Sequence, residues 1–324
     1  MEFQELGKSG IRISSIGLGT WQWGSRDWGY GRLYTKNDLL NSFQKARDVG
    51  INLIDTAEIY GLGKSEKLIA EAIRDCREDV IIATKVWPWN LSYGMVIRAA
   101  NRSLRRLGVD TIDLYQIHWP NPLIPIRASM KAMKKLVRQG KVRCVGVSNF
   151  NLKKMKSAQE ALAPLELVSN QVKYNLLDRG VEASLLPYAQ KEKITIIAYS
   201  PLGKGLLTGK YTAASKPSSL VQQMSARFSK RNLARLTTLV QCLSDVAQAH
   251  NKTSSQAALN WLIAQQNVIA IPGAKTQENV VDNAGATGWR LSEDEIARLV
   301  SVASDTKFDR ISGLRNLLNT FTRL

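Results

Sequence analysis

Eight short apolar runs recur along the chain, at SIGLGTW, NLIDTA, DVIIATKV, DLYQIHW, VRCVGVSN, LVSNQVKYN, ITIIAYSPL and VIAIPGAK. From the second to the seventh they begin about thirty residues apart, the length of one strand–helix unit. Their hydrophobicity is continuous rather than alternating, as in strands buried on both faces. Between them lie amphipathic stretches such as NDLLNSFQKARDVG and GMVIRAANRSLRRLG, each closing at a glycine, a common helix stop. Eight alternations without a break in composition predict a single α/β domain over residues 1–324, a closed (β/α)8 TIM barrel.

Two stretches depart from the repeat. The opening FQELGKSGIRIS has a glycine-containing turn between short polar–apolar segments and predicts a β-hairpin closing the amino-terminal end of the barrel. A long loop follows the seventh strand, starting with GKGLLTGKYTAASKPSS and continuing through the helical segments LTTLVQCLSDVAQAH and SSQAALNWLIAQQ. Intervals of that length in a compact domain usually serve function, and a lid over residues 203–233 is expected. At the far end, Ile311, Leu314, Leu318 and Phe321 share one face of a predicted helix that packs on the barrel.

Composition narrows the setting. The chain has 324 residues, 44% of them hydrophobic, enough for a sizeable core. Three scattered cysteines, Cys76, Cys144 and Cys242, show neither disulfide-framework nor zinc spacing, which points to a reducing compartment. The polar start MEFQELGKSG has no apolar signal-peptide core, and no apolar run reaches the ~18 residues of a membrane span. A cytoplasmic protein without membrane partners is expected. The net charge of +18 changes less than its size suggests. Arg98, Arg102, Arg105 and Arg106, then Lys131, Lys134, Lys135 and Arg138, recur at three- and four-residue spacing on outward helix faces and read as a solvated surface. No zinc-finger, RNA-recognition or basic-tail signature supports a nucleic-acid partner.

The chemistry sits at the ends of the apolar runs. Asp55, Tyr60, Lys85 and His118 each follow directly on a β-forming stretch, where a parallel barrel places its catalytic groups. A phenol is a poor acid near neutral pH, an adjacent ammonium favours its ionised form, and a carboxylate holds the ammonium in place. With an imidazole to orient the oxygen, such a set can protonate a carbonyl that receives hydride from elsewhere. The bland alternative, a buried Asp55–Lys85 ion pair beside a core histidine, serves any one residue well but not four on three successive strand ends. A Schiff-base lysine of the aldolase kind is a weaker alternative, since Lys85 comes with Tyr60 and Asp55. His250, near a helix end, reads as packing or solvated. Six tryptophans, Trp21, Trp23, Trp28, Trp87, Trp89 and Trp119, follow three of the strands and predict an aromatic-walled mouth for apolar aldehydes or ketones. Two phosphate-loop look-alikes fail: GLGKS at Gly61 to Ser65 has Glu58 at the first required glycine, and GLGTWQ has Gln22 at the third. No metal-ligand cluster is visible.

The segments NLIDTAEIYGLGKSE, ATKV, DLYQIHWP, GVSNF, NQVKYN, AYSPLGKGLLTGKY and IPGAKTQENVVDNAGA, in this order, closely resemble the aldo-keto reductase superfamily. The resemblance implies a barrel that binds NADP(H) in extended form without a Rossmann domain and reduces an aldehyde or ketone to an alcohol. It makes Asp55, Tyr60, Lys85 and His118 the catalytic tetrad, with Tyr60 the proton donor. It assigns Ser148, Asn149 and Gln171 to the nicotinamide carboxamide, and Tyr199 offers a ring for the nicotinamide to stack on. Ser200, Pro201, Leu202 and Gly205 begin a loop whose backbone N–H groups approach the pyrophosphate, with Lys210 and Arg227 as candidate phosphate contacts. Thr20, Trp21, Asp55 and Gly273 complete the expected cofactor wall. Lys275 and Asn279 are implied on the 2′-phosphate side, at a helix start that favours anions, and Asp282 and Asn283 at the adenine. Within the same superfamily, potassium-channel β-subunits keep barrel and tetrad but regulate a partner, so a cofactor-binding regulatory subunit is the alternative function. Substrate identity and oligomeric state are left open.

Overall fold

The computed structural model describes residues 1–215, 217 and 219–309; the predicted helix bearing Ile311 to Phe321 lies outside them. The opening hairpin forms as expected, β1 (Phe3–Glu5) pairing antiparallel with β2 (Arg12–Ser14). Eight parallel strands follow in chain order: β3 (Leu18–Gly19), β4 (Leu53–Asp55), β5 (Ile81–Val86), β6 (Ile112–Ile117), β7 (Val142–Ser148), β8 (Leu167–Lys173), β9 (Thr195–Tyr199) and β10 (Val268–Ala270). Parallel bridges at Ile16–Ala270 and Gly19–Gly273 join the two ends of the sheet and close the barrel. A Cβ on Gly19 would come within 2.7 Å of the Ile271 carbonyl oxygen, so the closing seam requires glycine there.

The helices α1 (Lys36–Asp48), α2 (Lys64–Ala72), α3 (Tyr93–Leu107), α4 (Ile126–Arg138), α5 (Leu152–Leu162) and α6 (Leu185–Glu192) alternate with the strands. After β9 come α7 (Leu220–Gln223), α8 (Lys230–Ala249) and α9 (Ser254–Ile263), and after β10 come α10 (Gln277–Ala284) and α11 (Glu293–Asp305). Local chemistry sets many boundaries. Thr35 with Asp38, Thr253 with Gln256 and Ser292 with Glu295 form capping boxes that start α1, α9 and α11. Gly108, in the left-handed region, stops α3.

Two apolar clusters divide the interior. The larger lies between strands and helices; the smaller lies inside one end of the barrel, where Leu53, Ala83, Leu114, Val168, Ile197 and Ile269 meet Leu6, Ile11 and Ile13 of the hairpin. The hairpin is thus a plug. Along each strand every second residue faces inward. Stepping two positions from that plugged layer takes Leu53 to Asp55, Ala83 to Lys85, Leu114 to Gln116 and Ile197 to Tyr199. The step from apolar to polar places the chemistry at the strands' carboxyl ends.

Candidate active site

Asp55 ends β4, Lys85 lies in β5, His118 follows β6, and Tyr60 opens the short 310 turn after β4. The four side chains converge. Lys85 Nζ donates to Asp55 Oδ1 at 2.7 Å and to the Thr56 carbonyl at 2.8 Å, and reaches Tyr60 Oη at 3.5 Å. The His118 ring stands edge-on to Tyr60, centroids 5.8 Å apart, and to Trp87 at 5.7 Å. On the far side of Asp55, Gln171 Nε2 donates to Oδ2 at 2.7 Å. Only the amide nitrogen can donate to a carboxylate, so the carbonyl oxygen Oε1 of Gln171 is left for a ligand.

Burial governs the protonation states. It pushes the Asp55 carboxyl up and the Lys85 ammonium down, while their mutual contact opposes both shifts. The Tyr60 phenol lies well above its ordinary value because it is buried, and the Asp55 charge adds to the shift. Lys85 does not bring the phenol below its ordinary value: its ammonium is bound to Asp55 at 2.7 Å and stands 3.5 Å from the phenol, and burial outweighs it. Tyr60 is therefore a neutral phenol that keeps its proton at neutral pH. His118 is lowered to about 3 by burial and then by the Lys85 charge, and is a neutral imidazole. Its Nδ1 is buried and has no partner among the described residues.

Tyr60 and His118 open on a cleft of about 1330 Å³. Drug-sized ligand pockets span roughly 300–1,000 Å³, so this one has room for an extended cofactor and a substrate together. Of the residues expected at a cofactor, Thr20, Trp21, Asp55, Ser148, Asn149, Gln171, Tyr199, Ser200, Pro201, Leu202, Gly205, Lys210, Gly273, Lys275, Asn279, Asp282 and Asn283 all line it. Tyr199 Oη donates to Asn149 Oδ1 at 2.9 Å, and Asn149 Nδ2 donates to the His118 carbonyl at 3.0 Å. One amide thereby fixes the ring at the end of β9 to the loop carrying the imidazole. Burial raises the Tyr199 phenol to about 12, so it stays neutral. Thr20 Oγ1 donates to the Asp55 carbonyl at 2.8 Å, tying the ends of β3 and β4 together.

Arg227 is not brought to the cleft. Its guanidinium makes two 2.7 Å bonds to Asp178 and lies over the Phe308 ring. The tryptophans also divide. Trp21, Trp28, Trp87 and Trp119 line the cleft, Trp23 is fully buried in the core, and Trp89 is exposed outside it. His250 packs against Trp289 and bonds Glu295 at 2.8 Å, a packing role as expected.

Sequence reasoning missed Lys204. It lies between the two glycines of GKG, in the left-handed region at φ 61°, with its ammonium 5.5 Å from the Trp21 ring centroid. Burial and the nearby Lys173 charge lower its pKa. Lys275 is also half-buried, its ammonium over Tyr34 and Trp28, and is lowered by burial and by Lys210. Among the described residues neither lysine forms an ion pair.

Comparison with known proteins gives the chain's family. Residues 15–304 match the model of the aldo/keto reductase family. An uncharacterized oxidoreductase of Mycobacterium tuberculosis is 40% identical over 292 residues, 90% of each chain. The glycerol dehydrogenase of Gluconobacter oxydans shares 30% identity at a TM-score of 0.85, over 95% of this chain and 98% of that one. An aldo-keto reductase of Klebsiella pneumoniae, solved in complex with NADPH, shares 31% identity at a TM-score of 0.75, again over 95% and 98%.

Proposed function

The chain belongs to the aldo/keto reductase family of oxidoreductases, and on that premise we propose that it reduces an aldehyde or ketone to the alcohol with NADP(H). The observation that carries the reading is the Asp55–Lys85–Tyr60 chain, 2.7 and 3.5 Å long, ending on a neutral phenol in the wall of the large cleft. NADPH supplies the hydride. The cleft fits such a cofactor: among the described residues Lys204 and Lys275 are ammonium groups in no ion pair, and the amino terminus of α10 stands beside Lys275. Gln171 Oε1 and the Ser148 hydroxyl suit a carboxamide, and the Tyr199 ring, held by Asn149, offers a stacking face.

Tyr60 gives the proton to the carbonyl oxygen. As that proton leaves, negative charge grows on Tyr60 Oη, and the Lys85 ammonium at 3.5 Å stabilises it. Asp55 keeps Lys85 charged and aimed. With Nδ1 of His118 enclosed, Nε2 is the nitrogen that holds the substrate oxygen, and a neutral ring does so without competing as an acid. Trp21, Trp87 and Trp119 give the cleft an apolar wall beside the reacting carbon.

A panel of aldehydes and ketones, followed by the loss of NADPH absorbance, tests the reading. Tyr60→Phe removes one oxygen and is expected to cut reduction by at least the ~10²-fold of lost acid catalysis, with NADPH affinity nearly unchanged. Wild-type protein that binds NADPH tightly but reduces no carbonyl would favour the regulatory-subunit reading instead. A Tyr60→Phe variant as fast as wild type would show that the proton comes from another group.

A further inference from the structure

The charge of the chain is not spread evenly. Between Tyr93 and Pro164 there are 14 Lys and Arg against three Asp and Glu, so +11 of the net +18 sits on three consecutive barrel helices, α3 to α5. Neither α3 nor α4 contains an acidic residue. Solvated helices usually interleave both signs at i and i+4. Here Arg127, Lys131, Lys135 and Arg138 project unpaired from α4, and Lys131 and Lys135 flank the Tyr93 ring at 5.7 and 5.9 Å. Among the described residues, no ion pair involves a cation of α4 or α5. Among the described residues, the shallow groove along this face holds Glu160 as its one carboxylate.

The edge of the same face is apolar. The loops leading into α3 and α4 are tied by an Asn121 Nδ2 bond to the Pro88 carbonyl at 3.0 Å. They expose Trp89 at 65%, Leu123 at 80% and Trp119 at 45%. A basic face rimmed by exposed Trp and Leu matches an anionic lipid surface. Lys and Arg meet the charged headgroups, while Trp and Leu enter the headgroup–acyl boundary. A nucleic acid would explain the cations but offers Leu123 nothing to bury against. Among the described residues no helix is long and apolar enough to cross a membrane, so contact would be peripheral.

We propose that the α3–α5 face, with Trp89 and Leu123 at its rim, docks the protein on an anionic lipid bilayer. Trp119 belongs both to this rim and to the cleft wall, so docking sets the mouth of the cleft beside the bilayer.

The test is sedimentation of the full chain with vesicles of phosphatidylcholine alone or doped with phosphatidylglycerol. Binding is expected only to the doped vesicles, and should weaken at least about tenfold as salt rises from roughly 0.1 to 0.5 M. Lys131→Glu with Lys135→Glu should abolish it. Trp89→Ser with Leu123→Ser should weaken it several-fold, leaving cofactor binding and reduction of a water-soluble aldehyde unchanged. A circular-dichroism melt for each variant separates lost docking from lost folding. The proposal is overturned if folded wild type ignores doped vesicles, or if the Trp89 and Leu123 changes leave binding untouched. It is overturned also if a DNA duplex binds as tightly under the same conditions, which would reassign the face to nucleic acid.

Discussion

An ammonium held partly out of water without an ion pair costs stability, and among the described residues the cleft keeps two such groups, Lys204 and Lys275. Lys275 precedes Thr276, the cap of α10, so charge and helix dipole favour the same phosphate. Lys275→Met is expected to weaken NADPH binding by about 1–3 kcal/mol, the scale of a lost charge-assisted hydrogen bond, and scarcely to change NADH. Fluorescence titration with both cofactors decides it, and equal losses would remove Lys275 from the 2′-phosphate. His118 makes a different prediction. Its folded pKa of about 3 lies below the ordinary 6.5, so the unfolded chain binds the proton first. Stability is untouched above that ordinary value and falls as pH drops from there toward 3, by at most about 1.4 kcal/mol per unit. His118→Gln should therefore lose less stability between neutral pH and pH 4 than wild type, in denaturant melts at the two pH values. The same shift predicts that carbonyl reduction shows no acid limb near the ordinary histidine pKa; a limb there that vanishes in His118→Gln would mean a protonated imidazole.

Among the elements, the stretch after β9 matters most. The expected lid is structured: a 310 turn at Gly203–Thr208, then α7, a turn at Ala226–Phe228 and the start of α8. Gln222 Nε2 donates to the Lys204 carbonyl at 2.8 Å and to Tyr211 Oη at 2.9 Å, and Tyr211 stands edge-on to Phe228. α7 reaches the Arg26–Trp28 turn on the opposite wall, so the segment straps across the cleft. Arg227 then reads as the latch, fastened to Asp178. Saturating NADP should slow proteolysis within residues 203–233, and Arg227→Ala should speed it with or without cofactor. Cleavage that cofactor leaves unchanged would count against closure of this strap.

Across the whole molecule, stability depends on the plug at the other end. Gly7, at φ +60°, turns the hairpin against the barrel floor, and a Cβ there would come within 2.7 Å of the Val168 backbone. Its amide donates to Thr195 Oγ1 at 2.8 Å, pinning hairpin to β9. Gly7→Ala must move backbone rather than a side-chain tip. A loss of about 1–3 kcal/mol is expected in denaturant melts, typical of a large single-site effect, with the Km for NADPH unchanged in the surviving fold. A neutral substitution would show that the plug yields without strain.

Much of this protein was legible in its sequence because strand ends and helix caps are local. Asp55, Lys85 and His118 were locatable from apolar runs ending on polar groups, since the two-residue period of a strand carries each to the barrel's open end. What depended on distance across the chain was not legible. Arg227 goes to Asp178, 49 positions away, rather than to the cleft. Trp23 turns into the core while Trp21, two residues earlier, stays in the cleft wall, and Trp89 faces outward. The direction of the Tyr60 shift was not legible for the same reason: the sequence shows a lysine to come, but only the packed site shows that it is bound to Asp55 and that burial outweighs it. Residue type and period determine which groups arrive at a strand end. Desolvation and the partners met there, set by segments far apart in sequence, decide which of them hold their protons.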